Sequence, residues 1–373
     1  MSYLDNAATT FPKPQRVREE VERCLAEYCG NAGRGAHPLA LASAEAIYAC
    51  RVALSDFLHL EAPERIVFTH NTTHALNLAL RGFLRQGEHV LISELEHNAV
   101  YRPLCALRDE GRIQFDCFPV LGLSAKEIVA GITARCRPDT RAVVCTHASN
   151  ICSLALPLAE IGAYCQQRGL TFIVDAAQSA GHLPIDMQKM QIHALALPSH
   201  KGLYGIQGAG VLALGKDFLP APLLQGGSGV NSFSPHMPQD PPERYEAGTL
   251  ATPAIVSLRY GVELVQALGL AHIAAHHKAL FSAMRERLLS LPGTQVFLPQ
   301  QEGAVLLFAT KGTCATEVAH RLSKAGICCR AGLHCAPLAH RALGTPQEGA
   351  VRLSFSIFNR LEDADAVWRV LKN

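Results

Sequence analysis

Short apolar runs alternate with amphipathic segments from about residue 64 onward. Arg65-Ile66-Val67-Phe68, His89-Val90-Leu91-Ile92, Ala142-Val143-Val144-Cys145, Phe172-Ile173-Val174 and His193-Ala194-Leu195-Ala196-Leu197 have the length and composition of buried strands. The spacers between them repeat apolar residues at i, i+3 and i+4, the period of a helix with one covered face. Helices placed between buried strands predict a mainly parallel sheet with right-handed crossovers. Gly208-Ala209-Gly210-Val211-Leu212-Ala213-Leu214 is a further strand, antiparallel because too few residues precede it for a crossover helix. The rhythm breaks from Pro220 to about Pro253, a stretch rich in Pro, Gly and Ser that predicts an active-site or subunit-interface loop. Ile255 to Leu291 is one long helical region partly broken around Gly269, and a smaller α/β unit follows from about Thr294 to Asn373. The expected division is a large domain over 1–255 and a linking helix with a small C-terminal domain over 256–373. No internal repeat is present.

Composition narrows the class. A hydrophobic fraction of 49% and a charged fraction of 18% describe a globular chain with a sizeable core rather than a disordered one. The formal charge of +2 and the absence of a Lys/Arg run argue against a nucleic-acid partner. Met1-Ser2-Tyr3-Leu4-Asp5-Asn6 has neither a basic nor an apolar leader region, and no stretch reaches the roughly 18 apolar residues of a membrane span. A cytoplasmic protein without a membrane partner is expected. The 13 cysteines are scattered and odd in number, so most are expected to be small buried hydrophobes, with Cys328 and Cys329 facing opposite sides of a strand.

Chemistry concentrates at a few places. Lys201 lies in Ser199-His200-Lys201-Gly202-Leu203-Tyr204-Gly205, and Asp175-Ala176-Ala177-Gln178 ends the run Thr171-Phe172-Ile173-Val174. Alone, Lys201 is a loop lysine and Asp175 a helix cap. Together, a carboxylate and a lysine at the ends of successive strands supply what pyridoxal phosphate (PLP) needs: a partner for the pyridinium nitrogen and an amine for its aldehyde. Such an amine must lose its proton near neutral pH, which neighbouring His200 and the cofactor are expected to favour. Thr69-His70-Asn71-Thr72-Thr73-His74 opens an amphipathic helix after a strand and has the form of a phosphate cradle, with Thr73 its best hydroxyl. His97, after the strand ending at Ser93, can stack on a ring and relay protons; Asn150 can contact the ring hydroxyl. Arg330-Ala331-Gly332-Leu333-His334-Cys335-Ala336 sets one thiol beside a histidine and an arginine, a neighbourhood that favours thiolate. Arg352 lies inside a strand pattern, where a buried guanidinium needs a partner; a substrate carboxylate or a structural ion pair would serve.

These segments, with Leu4-Asp5-Asn6-Ala7-Ala8-Thr9-Thr10, Glu96-His97-Asn98-Ala99 and Glu246-Ala247-Gly248-Thr249, resemble in order the class V aminotransferase superfamily, and within it the cysteine desulfurases and selenocysteine lyases. The short Arg-x-Gly-x-His-Cys loop is similar to that of the SufS-like second group. The resemblance implies a fold-type I PLP homodimer: a large domain with a mainly parallel seven-stranded sheet flanked by helices, a smaller C-terminal α/β domain, and the first fifteen or so residues packing near the latter. It implies Lys201 as the Schiff-base lysine, Asp175 as the pyridinium partner, Gln178 and Asn150 as ring-oxygen contacts and His97 as the stacking ring. Thr72, Thr73, Ser199, His200 and Thr249 would hold phosphate, Thr249 from the other subunit. Arg352, Asn150, Arg330, His334 and His37 would surround the substrate. Pro198 replaces the usual hydroxyl residue two positions before the His-Lys pair, and Gly202 follows the lysine in a pattern nearer to epimerase-like members. Asn31-Ala32-Gly33-Arg34-Gly35-Ala36-His37 only partly matches the family's entrance loop.

The expected activity is therefore conversion of L-cysteine to L-alanine, with Lys201 removing the Cα proton and Cys335 taking the sulfur as a persulfide for an acceptor protein or small thiol. The alternatives are a selenocysteine lyase acting on L-selenocysteine and a class V transaminase or epimerase. No metal site is expected, because Cys328, Cys329, His334 and Cys335 lack a paired Cys-x-x-Cys knuckle.

Overall fold

The computed structural model describes residues 1–33 and 35–372; Arg34 of the entrance segment and Asn373 lie outside the described residues. The chain opens with β1 (Ser2–Tyr3), α1 (Gln15–Arg23) and α2 (Pro38–Phe57). Then β2 (Ile66–Thr69), α3 (Thr72–Phe83), β3 (Glu88–Ser93), α4 (Asn98–Asp109), β4 (Ile113–Phe118), α5 (Ala125–Arg135), β5 (Thr140–Thr146), α6 (Leu158–Arg168) and β6 (Thr171–Asp175) alternate without exception. β7 (Ala194–Pro198) and β8 (Gly210–Leu214) complete a seven-stranded sheet in the order β2-β8-β7-β6-β5-β3-β4.

β3, β4, β5, β6 and β7 pair in parallel, and β8 runs antiparallel to both β7 and β2. The strands are unbroken apolar runs because both faces are covered. Ile66 and Phe68, Leu91, Val143 and Cys145, Phe172 and Val174, and Leu195 and Leu197 enter one core with α2, α5, α6 and residues 254–265. The alternate residues Val67, Val90, Ile92, Ala142, Val144, Ile173, Ala194 and Ala196 enter a second core with α3 and α4. The shared direction of β2 to β7, to which β8 alone runs opposite, puts six carboxyl ends on one edge, where open α/β sheets bind ligands.

No helix or strand occurs between residues 215 and 251. The long helical region divides into α7 (Thr252–Leu268) and α8 (Leu270–Leu289), bent by 82° at Gly269, whose φ of +78° suits glycine. Among the described residues no single helix is long and apolar enough to cross a membrane. Beyond α8 come β9 (Thr294–Phe297), β10 (Val305–Thr310), α9 (Ala315–Lys324), β11 (Ile327–Cys328), β12 (Arg330–Gly332), α10 (Pro337–Leu343), β13 (Ala350–Ser354) and α11 (Leu361–Lys372). β12-β13-β10-β9 form an antiparallel sheet packed on α8, α9 and α11 through Phe281, Val318, Phe308, Leu353 and Val367. The N-terminus joins this second unit: β1 pairs in parallel with β11, and Leu4 is buried in its core.

Candidate active site

Asp175 is the last residue of β6, and Lys201 lies three residues beyond β7, its neighbour in the sheet. Asp175 is buried, with Oδ1 accepting the Ala177 N–H at 2.8 Å. Burial raises its carboxyl pKa against the opposing pull of that N–H and of Lys201. Burial also pushes the Lys201 ammonium down to about 8; Asp175 resists, while Arg352 and Arg330 push further down. The amine is therefore available near neutral pH. Burial and the two arginines lower this pKa, not the His200 expected to favour it, and His200 is itself held low by burial and by Lys201.

The lysine loop is fastened from the N-terminus. The His200 carbonyl accepts from Thr10 N (3.0 Å), Thr9 Oγ1 (3.1 Å) and Lys13 Nζ (3.1 Å). Gly202 is required by proximity: a Cβ there would lie 2.3 Å from the Ala180 carbonyl oxygen and 2.9 Å from His182 Nε2. This departure from the family pattern is thus a packing requirement of the 180–182 turn.

Opposite the lysine, Asn71 caps α3 by accepting the His74 N–H at 2.9 Å, which leaves Thr72 and Thr73 in the first turn. The Thr72 Oγ1 and His200 Nδ1 atoms are buried without a partner. Gly210 keeps this end open to the backbone, since a Cβ there would meet Asn71 C at 2.5 Å. His97 caps α4; its Nδ1 accepts the Ala99 N–H at 3.0 Å, so the neutral ring carries its proton on Nε2. Burial, then the nearby Lys201, Arg352 and Arg330 charges, push its pKa down to about 4. The Gln178 side chain donates to the Ala7 carbonyl at 2.9 Å.

The C-terminal unit closes the site. Arg330 and Arg352 face each other across the β12·β13 pair. Arg352 is 2% exposed; Nη2 donates to Asp5 Oδ1 at 2.8 Å, Nη1 to the Asn150 carbonyl at 3.1 Å, and Nε has no partner. The Cys335 thiol is exposed at the tip of a turn in which His334 (φ +49°) and Cys335 (φ +56°) both adopt the left-handed conformation. The turn is tied to the large sheet by Asn150 Nδ2 to the His334 carbonyl (2.8 Å) and Asn98 N to the Cys335 carbonyl (2.7 Å). The His334 ring does not face the thiol as a cation. It bonds to the Arg330 carbonyl and to His340, and burial pushes its pKa down to about 3, so it supplies no positive charge to Cys335. That corrects the expectation that His334 favours thiolate.

Lys201, Asp175, Gln178, His97, Asn150, Thr72, Thr73, His200, Arg330, His334, Cys335 and Arg352 line one cavity of about 300 Å³. Three expected residues do not. Ser199 is fully buried, its hydroxyl packed 2.1 Å from where a Gly205 Cβ would sit. Thr249 is exposed on a separate cleft with Asn31, Gly33 and Tyr48, and His37 is an exposed cap of α2, accepting the Ala40 N–H. Asp5, Ala7, Ala8 and Lys13 were missed as site residues, although the small and polar run Asp5–Thr10 was a visible signal.

The donor set fits PLP. Two buried polar atoms without partners, Thr72 Oγ1 in the first turn of α3 and His200 Nδ1, belong to residues that line the cavity, as a phosphate at a helix N-terminus requires, and Asp175 and Lys201 line the same cavity. Arg352, which also lines the cavity, has a buried Nε without a partner, a donor that suits an anion.

The family described as Aminotransferase class-V matches residues 2–367. A probable cysteine desulfurase of Methanothermobacter thermautotrophicus is 31% identical over 379 residues, covering 99% of this chain and 94% of that protein. A probable cysteine desulfurase of Mycolicibacterium paratuberculosis is 32% identical over 99% of this chain, which spans 55% of that longer protein. The apo cysteine desulfurase of Thermococcus onnurineus superposes with a TM-score of 0.89 at 28% identity, covering 100% of this chain and 94% of that one. With a match extending through both sheets and both walls of the cavity, the chain belongs to the aminotransferase class-V family.

Proposed function

We propose that this chain is a PLP-dependent cysteine desulfurase, converting L-cysteine to L-alanine and holding the sulfur on Cys335. The observation that carries the reading is a single cavity lined by an exposed cysteine of the C-terminal unit, a lysine of depressed basicity and a buried carboxylate. The relatives' shared description as cysteine desulfurases favours sulfur over selenium.

When bound, PLP supplies an electron sink for the pair left at the substrate Cα. The first turn of α3, with Thr72, Thr73 and His200, holds phosphate; Asp175 keeps the ring nitrogen protonated; Gln178 and Asn150 orient the ring oxygen. His97, neutral because buried, provides a flat face without adding charge. Arg352 takes the substrate carboxylate with Nε and the free Nη2 proton, Asp5 and Asn150 fixing the guanidinium plane. Lys201 Nζ removes the Cα proton and later returns one. The Cys335 sulfur bonds to the substrate sulfur, the Cβ–S bond breaks with its electron pair left on Cβ, and a proton completes the methyl group of L-alanine. The product is a Cys335 persulfide, passed to an acceptor protein or small thiol.

A homodimer accounts for Thr249 and His37, which lie beyond the cavity of their own chain. Tyr48 and Val230, both exposed, line the cleft that holds Thr249, and Leu39 and Leu41 are exposed on α2 beside His37, apolar side chains of the kind a second copy covers. In this reading residues 256–373 close over 1–255, and the enzyme works in the cytoplasm.

The test is product analysis of the PLP-loaded enzyme with L-cysteine and L-selenocysteine, for the unaltered chain and Cys335→Ala. Loss of alanine formation from cysteine in the variant is expected. Alanine from selenocysteine alone in the unaltered chain would instead establish the lyase, and keto acid without sulfide a transaminase.

A further inference from the structure

The Cys335 turn is held by a pair of histidines, of which only one lies in the cavity. His334 and His340 are both buried, at 5% and 2% exposed, with rings stacked at 5.4 Å and 15°. His334 Nε2 lies 3.2 Å from the Arg330 carbonyl oxygen, His334 Nδ1 lies 3.1 Å from His340 Nε2, and His340 Nδ1 lies 2.8 Å from Thr345 Oγ1. A carbonyl only accepts, so His334 must donate from Nε2. In the neutral ring its Nδ1 then accepts, His340 must donate from Nε2, and its Nδ1 accepts the Thr345 hydroxyl proton. One arrangement of protons satisfies the whole chain, and both rings are neutral in it. Burial favours that state, holding His334 down to about 3 and His340 down to about 4.

What this chain restrains is the turn itself. Non-glycine residues at positive φ cost about 1–3 kcal/mol each and persist only where the surroundings impose them. His334 and Cys335 are two in succession, and the carbonyls of both are already taken by Asn150 and Asn98. The side-chain anchor is the His334 ring, and among the described residues its only side-chain hydrogen-bond partner is His340.

We propose that His340, oriented by Thr345, is a positioning residue for the Cys335 nucleophile: it fixes the tautomer and place of the His334 ring and thereby the left-handed turn that presents the thiol. His340 is not among the residues that line the cavity, and nothing in the motif that carries the family resemblance includes it. The inference rests on Cys335 being the sulfur-accepting thiol.

The experiment compares His340→Phe, His340→Gln and Thr345→Val with the unaltered PLP-loaded enzyme in three measurements: kcat and KM for L-cysteine, the rate of Cys335 alkylation by iodoacetamide located by peptide mass, and visible cofactor absorbance. His340→Phe fills the space without a donor. It should lower kcat by about 10²-fold, the scale of a misplacement near 1 Å, with KM and absorbance unchanged. It should also alter the Cys335 alkylation rate. His340→Gln retains an N–H donor toward His334 and should restore both kcat and alkylation to within a few-fold. Thr345→Val frees His340 to adopt the other tautomer and should shift both readouts in the same direction as His340→Phe; it serves alone if that variant does not fold. Unchanged kcat and alkylation in His340→Phe, or equal loss in His340→Gln, overturns the proposal. Absence of alanine from the unaltered enzyme overturns the desulfurase reading instead, and the alkylation rates, which need no turnover, still decide the positioning role.

Discussion

Arg352→Lys tests the substrate end of the site most directly. The substitution keeps a positive charge 2% exposed beside Asp5 but replaces a planar fork with one nitrogen on a differently shaped stem. Of the arginine's donors, Nη2 serves Asp5, Nη1 serves the Asn150 carbonyl, and Nε with the second Nη2 proton remains for a carboxylate. Lysine retaining the Asp5 contact has no planar pair left to offer. A hydrogen bond to a charged group is worth about 1.5–3 kcal/mol, so losing one should lower kcat/KM for L-cysteine about 10- to 150-fold. Steady-state kinetics with L-cysteine and L-cysteine methyl ester separate this from general damage. The ester lacks the anion, so the native enzyme should discriminate against it, and Arg352→Lys should narrow that gap because its loss falls on the acid alone. If both forms of the enzyme prefer the acid by the same factor, Arg352 does not bind the carboxylate and the assignment is wrong.

Gly202→Ala should destabilise the fold by about 1–3 kcal/mol, the scale of overpacking, because a Cβ 2.3 Å from the Ala180 carbonyl meets backbone that has no room to yield; an unshifted urea midpoint would contradict this. Capture of PLP by the apoenzyme should accelerate as pH rises through about 8 rather than 10.5, since burial lowers the Lys201 pKa and only the neutral amine attacks an aldehyde. Stopped-flow growth of visible absorbance measures it, and a rate still climbing steeply above pH 9.5 would rule it out.

The large sheet was legible because each strand is a run of apolar residues whose alternate members enter two different cores, a pattern local to five or six residues. The antiparallel turn of β8 followed from the short link before it, since 11 residues separate Pro198 from Gly210 and no crossover helix fits. The site was legible wherever its residues sit at strand ends: Asp175, Lys201, His97 and Asn150 all do. What escaped were pairings made across the chain. Nothing near Asp5 announces Arg352, and nothing near Arg330 announces that His334 will turn toward His340 rather than toward the thiol. Ser199 was misjudged for a related reason: it directly precedes His200, but its hydroxyl is buried against Gly205, and only tertiary contacts decide that.

The segment from Leu4 to Lys13 reaches both units at once, touching Ser354 and Asn359 on one side and His200 and Gln178 on the other. Residue 5 therefore leaves the ribosome 347 positions before the arginine it must meet. The central sheet can assemble while synthesis continues, but the binding pocket is finished only after β13 has emerged and captured the waiting N-terminal segment. Translation products that stop just short of that strand would carry the amine and the thiol but lack the guanidinium, leaving a chain able to take up cofactor and unable to hold the substrate's carboxylate.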